Sequence, residues 1–344
     1  MKILIVGATG YLGPVIAKII RERLKPDVLA GIDTSWFTST ALAPYDAPFS
    51  SIVKADKRSV SVDMMQGYDA VIDLAAVSND PMGADFEDAT LDINYRAAID
   101  LAKRAKEAKV GRFIFASSCS IYGAASDGAR SEEDAKDPLT AYARSKWFSE
   151  IDLAKLADDS FSPIALRFAT ACGWSPTFRA DLVLNDFVVT ALTTGKIVVL
   201  SDGTPWRPLI HTKDIGRAVA WACQTKNRGF SAYNVGSNAW TLTIGDLAKS
   251  VAEILEVPYD ITGENSADRR SYRVSFNKFE ASAEGWLPQE RVDSAVNEMK
   301  NELSKHLDRL KDFRRGNLIR LNVLRSKLAN GELDRSLTAT NKGA

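Results

Sequence analysis

The chain has 344 residues, enough for one large core and a second, smaller lobe. Its 44 basic and 44 acidic residues cancel, so no general electrostatic attraction to nucleic acid or to a membrane surface is expected. Cys119, Cys172 and Cys223 stand far apart without a C-x-x-C pair, so neither a disulfide framework nor a metal site is expected, and a reducing cytoplasm fits the composition.

The first element is the run Lys2 to Val6, whose Ile3-Leu4-Ile5-Val6 reads as a strand buried on both faces. It runs into Gly7, Gly10 and Gly13 of "VGATGYLG". Gly7 suits a tight turn, Gly10 a close approach of backbone to an anion, and Gly13 the packing of a helix on the sheet. A pyrophosphate is then expected at the N-terminus of the helix starting near Tyr11. Further short apolar runs follow: Val28 to Ile32, Ser51 to Val53, Ala70 to Leu74, Arg112 to Ala116 and Pro163 to Phe168. They alternate with amphipathic stretches such as Ala89 to Ala108 and Tyr142 to Leu156, the pattern of a Rossmann-type, doubly wound parallel α/β sheet. After residue 170 turn-rich pieces mix with helices at Ile215 to Cys223 and Ile244 to Leu255, read as a smaller, interleaved α/β substrate lobe. The expected division is 1–170 for dinucleotide binding, with further elements from about 205–235, then 171–300 for the lobe. Residues 301–344 read as a terminal amphipathic helix and tail, the ending "TATNKGA" being disordered.

Asp33 stands twenty residues after Gly13 at the end of the second run, where a carboxylate can accept from adenosine ribose hydroxyls and repel a 2′-phosphate. NAD is therefore favoured over NADP. Asp56 is either a partner for the adenine amino group or an exposed turn residue. The small residues of "DLAAVS" allow backbone to pass close to a flat cofactor, and Asn94 lies on the helix beyond, either near it or at the polar surface.

Tyr142 and Lys146 are four apart, hence on one face of a helix, and Ser118 ends the fifth run. An adjacent ammonium, with a positive nicotinamide, lowers a phenol from its ordinary value of about 10 toward a useful base. The three groups can take a proton from a substrate hydroxyl while its hydride leaves.

"GATGYLG", Asp33, "LAA", "SSCSIYG", "YARSK", "LRFATACG" and "DGTPWRPLIHTKDIGRA" occur in the order and spacing of the extended short-chain dehydrogenase/reductase family, and the chain resembles its NAD-dependent epimerase/dehydratase branch over roughly residues 1–285. The resemblance implies NAD, a nucleotide-diphosphate sugar held by the C-terminal lobe, and Ser118, Tyr142 and Lys146 as the catalytic set. The candidate cofactor residues are then Gly7, Thr9, Gly10, Tyr11, Leu12, Gly13, Asp33, Asp56, Leu74, Ala75, Ala76, Asn94, Ser117, Tyr142 and Lys146. The candidate substrate residues are Ser78, Ser118, Thr170, Asn185, Arg207 and Arg270, with Arg269 beside the last. It also implies a homodimer through the helices of Ala89 to Ala108 and Tyr142 to Leu156.

His211, Trp174 and Trp206 read as structural. Thr170 replaces the Asn of many epimerases, so the sugar pocket differs from the commonest one. Cys119 and Ser120 stand where 4,6-dehydratases carry Asp-Glu, which ranks dehydration low. The leading expectation is a nucleotide-sugar epimerase that regenerates its NAD each turn. Behind it stand a ketoreductase or dehydrogenase with exchangeable NAD(P)H and a non-catalytic NAD-binding sensor.

Overall fold

The computed structural model describes residues 1–124, 128–263 and 271–341. Seven strands form one parallel sheet in the order Ser231–Val235, Ser162–Phe168, Arg112–Ser118, Ala70–Asp73, Lys2–Val6, Val28–Asp33, Ser51–Lys54. Ile3 and Ile5 pack with Ile16, Ile20 and Val219 on one face, while Leu4 and Val6 pack with Ala98, Leu101 and Ala102 on the other. Both faces of the central strands are covered, which is why those strands read as unbroken apolar runs rather than as alternating ones, while the edge strand Ser51–Lys54 is exposed. From Lys2–Val6 the chain builds outward in one direction and then returns to build in the other. The order therefore reverses between Lys2–Val6 and Ala70–Asp73, and a crevice opens beyond the carboxyl ends of those two strands.

Residues from the second half complete this body. The helix Thr212–Gln224 lies on the helix Gly13–Leu24, where a Cβ on Gly216 would sit 2.9 Å from Ile19. Ser231–Val235 adds the edge strand. Trp206–His211 pairs parallel with Thr170–Cys172 and antiparallel with Thr241–Thr243 in a separate sheet. A separate apolar cluster gathers Leu184, Val188, Leu209, Leu247, Val251, Val296 and Met299 in the lobe.

Two expectations are corrected. The stretch Ala89 to Ala108 is not one regular helix: Glu87–Leu91 passes through a π-helical turn, Asp92–Arg96, before Ala97–Glu107. Such turns re-aim side chains, here Ile93 and Asn94. Nor does the C-terminus form a single amphipathic helix. Val292–Leu303 and Leu307–Leu310 are followed by a loop with Asp312 at φ 52°, and then Arg320–Ala329. That last helix returns to the dinucleotide side: Leu324, Leu333 and Leu337 pack with Val77, Met82, Phe86 and Ile93. The described part of "TATNKGA" is tied down, since Ala339 pairs with Leu333 in an antiparallel bridge.

Behind the end of Arg112–Ser118 lies a buried polar network. Arg167 donates to Glu150 at 2.7 Å and to the Tyr122 hydroxyl at 2.8 Å, Ser117 also donates to Glu150, and Tyr122 donates to Asn234. Removing one partner strands a buried charge, whereas replacing both does not. Arg167→Leu is expected to cost about 3–5 kcal/mol in urea unfolding, with most of it recovered in the double variant Arg167→Leu/Glu150→Leu. A double variant no better than the single one would contradict this reading.

Candidate active site

At the strand-order reversal lies a cavity of about 700 Å³. Its floor is the glycine turn. Gly7 has φ 93°, and a Cβ there would meet Ala75 N at 2.7 Å; a Cβ on Gly13 would overlap Ala8 O. These two glycines are required by the protein's own backbone packing. Gly10 differs, because its Cβ would meet only Gly7 O at 3.5 Å, an ordinary contact. The space over Gly10 belongs to the cavity, as a bound diphosphate needs. The helix that follows starts without a side-chain cap or an acidic residue in its first turn, leaving its N–H groups and dipole for an anion.

Gly7, Gly10, Tyr11, Leu12, Asp33, Asp56, Leu74, Ala75, Ala76, Ser78, Ser117, Ser118, Tyr142, Lys146, Thr170 and Arg207 all line this one cavity. Asp33 accepts from Thr9 N at 2.9 Å and Ser35 N at 2.7 Å, which fixes its carboxylate at the strand end with lone pairs to spare. Asp56 accepts from Arg58, whose guanidinium also donates to Leu337 O at 2.7 Å and so ties the cavity wall to the C-terminal segment.

Four expected residues do not line it. Thr9 serves through its N–H to Asp33, and Gly13 through packing on Ala8. Asn94 is fully buried, accepting from Val77 N at 2.8 Å and donating to Val77 O at 2.9 Å and Ser145 Oγ at 3.2 Å. It is neither a surface residue nor a cavity residue but holds the strand-end backbone in place. Asn185 is likewise spent on protein groups: it accepts from Gly173 N at 2.9 Å and donates to Arg179 O at 2.8 Å and the Tyr11 hydroxyl at 3.1 Å. Polar residues in such places invite a ligand, and both of these are consumed by protein groups instead. Arg269 and Arg270 lie outside the described residues. His211 is buried as the cap of Thr212–Gln224, accepting from Lys213 N, and Trp174 stacks on Phe178 and His306.

Several cavity residues carry no mark in the sequence. Arg179, in the turn-rich "PTFRADL", forms a two-pronged pair with Asp181 at 3.0 and 2.7 Å and donates to Ser78 Oγ at 3.2 Å. Lys57 donates to Asp73 at 2.8 Å and to Ala75 O at 2.8 Å, a buried pair beneath the small residues of the wall. Arg314 and Arg320 reach in from the C-terminal segment. No motif spacing marks these residues, because their partners are set by loop paths; an Arg and Asp two apart in a turn is the only local signal.

Burial pushes the Tyr142 phenol above its ordinary value, opposed by its hydrogen bond with Ser118 and by the charge of Arg179. Lys146 donates to Ala116 O at 2.6 Å, and its Nζ is 5.7 Å from the centre of the Tyr142 ring. Its own amine is pulled down to about 7, first by burial and then by Lys57. Arg179 is thus one positive charge that favours the ionised phenol, against the larger effect of burial.

Residues 3–236 match the model of the NAD dependent epimerase/dehydratase family. The UDP-glucose 4-epimerase of Lactobacillus helveticus is 25% identical over 320 residues, spanning 86% of this chain and 95% of that one. The fold is like that of MoeE5, solved with UDP-glucuronic acid and NAD, at TM-score 0.77 and 23% identity over 89% of this chain and 99% of that one. It is also like that of DesIV, a dTDP-glucose 4,6-dehydratase from Streptomyces venezuelae solved with NAD, at TM-score 0.75 and 21% identity over 89% and 98%. With a family match across two thirds of its length and a glycine turn that suits a dinucleotide, the chain belongs to the NAD-dependent epimerase/dehydratase family.

Proposed function

We propose that the protein is a nucleotide-sugar epimerase in which Tyr142 takes the proton of a sugar hydroxyl. The carrying observation is that Ser118, Tyr142 and Lys146 line one cavity with the glycine turn and Asp33, while the positions after Ser118 hold a thiol and a hydroxyl, Cys119 and Ser120. Both are buried, and neither supplies the carboxyl acid and base that elimination of water needs. The epimerase from Lactobacillus helveticus supports the same reading of substrate class.

NAD, when bound, supplies a hydride acceptor and a positive ring beside the phenol. The chain's residues supply the rest. Ser118 hydrogen-bonds the phenol and favours its ionised form, and Arg179 adds a positive charge nearby. Lys146, fixed on Ala116 O, has further protons to offer ribose hydroxyls or the phenolate. The small Ala75 and Ala76 leave room for a flat ring. Arg207, buried at the lobe side with its Nη1 on Trp206 O and its guanidinium 5.8 Å from the Tyr272 ring centre, provides a planar cation for a sugar diphosphate.

Purified protein incubated with UDP-, GDP-, CDP- and dTDP-sugars is expected to produce an epimer of one of them without net NADH. A one-way reduced product would contradict this and assign a reductase instead. Tyr142→Phe is expected to slow turnover about 10²–10⁴-fold with NAD binding nearly unchanged, and an unaltered rate would remove Tyr142 from the mechanism.

The depressed Lys146 has a consequence for stability. Below about pH 7 folded and unfolded chains both carry its proton, and folding bears the full cost of burying the charge. Between about 7 and the ordinary 10.5 the unfolded chain binds more proton than the folded one, so this penalty fades as pH rises. In nucleotide-free protein, Lys146→Met should therefore gain most over the parent in urea unfolding near pH 6, the advantage shrinking toward pH 10. An advantage that stays constant or grows with pH would contradict burial as the dominant effect.

A further inference from the structure

The arginines and lysines around the cavity differ in what balances them. Lys57 pairs with Asp73, Arg179 with Asp181, and Arg314 with Asp186. Arg320 is the exception among these: it lines the cavity while 3% exposed, and no carboxylate among the described residues is within ion-pair distance of it. Its Nη2 donates to Thr177 O at 3.0 Å, its guanidinium stacks 3.9 Å from the centre of the Phe37 ring, and its Nη1 is buried with no hydrogen-bond partner. A buried cation left without a paired counter-charge is costly, so the arrangement is complete only with an anion.

The location says which anion. Thr177, which accepts from Arg320, donates its own hydroxyl to Gly10 O at 2.8 Å, so the guanidinium is coupled through one residue to the glycine turn. Burial and then Arg179 act against its charge, while the carboxylates of Asp181 and Asp33, beyond pairing distance, act in its favour. Phe37 follows shortly after the strand that ends in Asp33. The unpartnered Nη1 thus lies at the cavity between the glycine turn and the C-terminal helix Arg320–Ala329, on the side of the uncapped start of Gly13–Leu24.

We propose that Arg320 is an anion clamp for the dinucleotide pyrophosphate, which makes the C-terminal segment, beyond the matched residues 3–236, a working part of the cofactor site. The segment is docked there by Arg58 on Ser336 O and Leu337 O, by Arg325 on Asp85, and by the apolar cluster of Leu324, Leu333 and Leu337. The clamp would serve whichever sugar reaction the site performs.

The test is calorimetry on the full chain with Arg320→Gln, using NAD, ADP-ribose, UDP, and adenosine as a competitor. Loss of a charge-assisted contact should weaken NAD and ADP-ribose by about tenfold or more and leave adenosine and UDP unchanged. Unchanged NAD and ADP-ribose would overturn the clamp; so would an equal loss for adenosine, which marks a purely structural role, or a loss confined to UDP, which assigns the arginine to the other ligand. If Arg320→Gln does not fold, Arg320→Lys keeps the charge without the fork and should weaken NAD and ADP-ribose while sparing adenosine. An equal effect on all three would again overturn the proposal.

Discussion

Everything in this site depends on a pair of backbone contacts: Gly7 against the Leu74–Ala75 peptide at the exit of Ala70–Asp73, and Gly13 against Ala8 O. A Cβ on Gly7 would come within 2.7 Å of Ala75 N, and one on Gly13 would overlap the Ala8 carbonyl, so neither position has room for a side chain. These contacts hold the turn tight where the strand order reverses, and the crevice opens beyond the paired carboxyl ends of Lys2–Val6 and Ala70–Asp73. Asp33 and the Ser118, Tyr142 and Lys146 group then reach the same space from strand ends on either side of the crossing and from one helix. A side chain at Gly7 or Gly13 would spread the crossing and displace them together.

Around that crossing the structure uses polar side chains to fix backbone rather than to meet ligands. Asn94 is bonded to both backbone groups of Val77, and Asn185 joins Gly173, Arg179 and Tyr11. Arg167 and Glu150 brace the strand that ends in Ser118. Such satisfied buried networks hold the cavity wall to one geometry, as the proposed proton and hydride transfer requires. Groups with spare capacity, Asp33, Lys146 and Arg320, are the ones left to act.

Much of this is legible in the sequence, for identifiable reasons. Strands buried on both faces leave apolar runs, so the sheet can be read nearly to its ends, and Tyr142 and Lys146 share a helix face by spacing alone. What escapes depends on contacts between distant segments. Arg179 and Asp181 sit in a turn with no period, and the inward direction of Asn94 follows from a π-helical turn that its helical pattern conceals. The C-terminal helix reads as a terminal amphipathic cap because leucines at helical spacing do not reveal the loop at Asp312 or where the chain goes after it. Spacing brings Lys146 near Tyr142, but its own charge depends on burial and on Lys57, which spacing does not reveal.

The most direct measurement is a crystal structure with NAD. The proposed arrangement requires the adenosine ribose on Asp33, the pyrophosphate over Gly10, and the nicotinamide beside the Tyr142 hydroxyl. A dinucleotide found elsewhere, or seated with its nicotinamide remote from Tyr142, would contradict it.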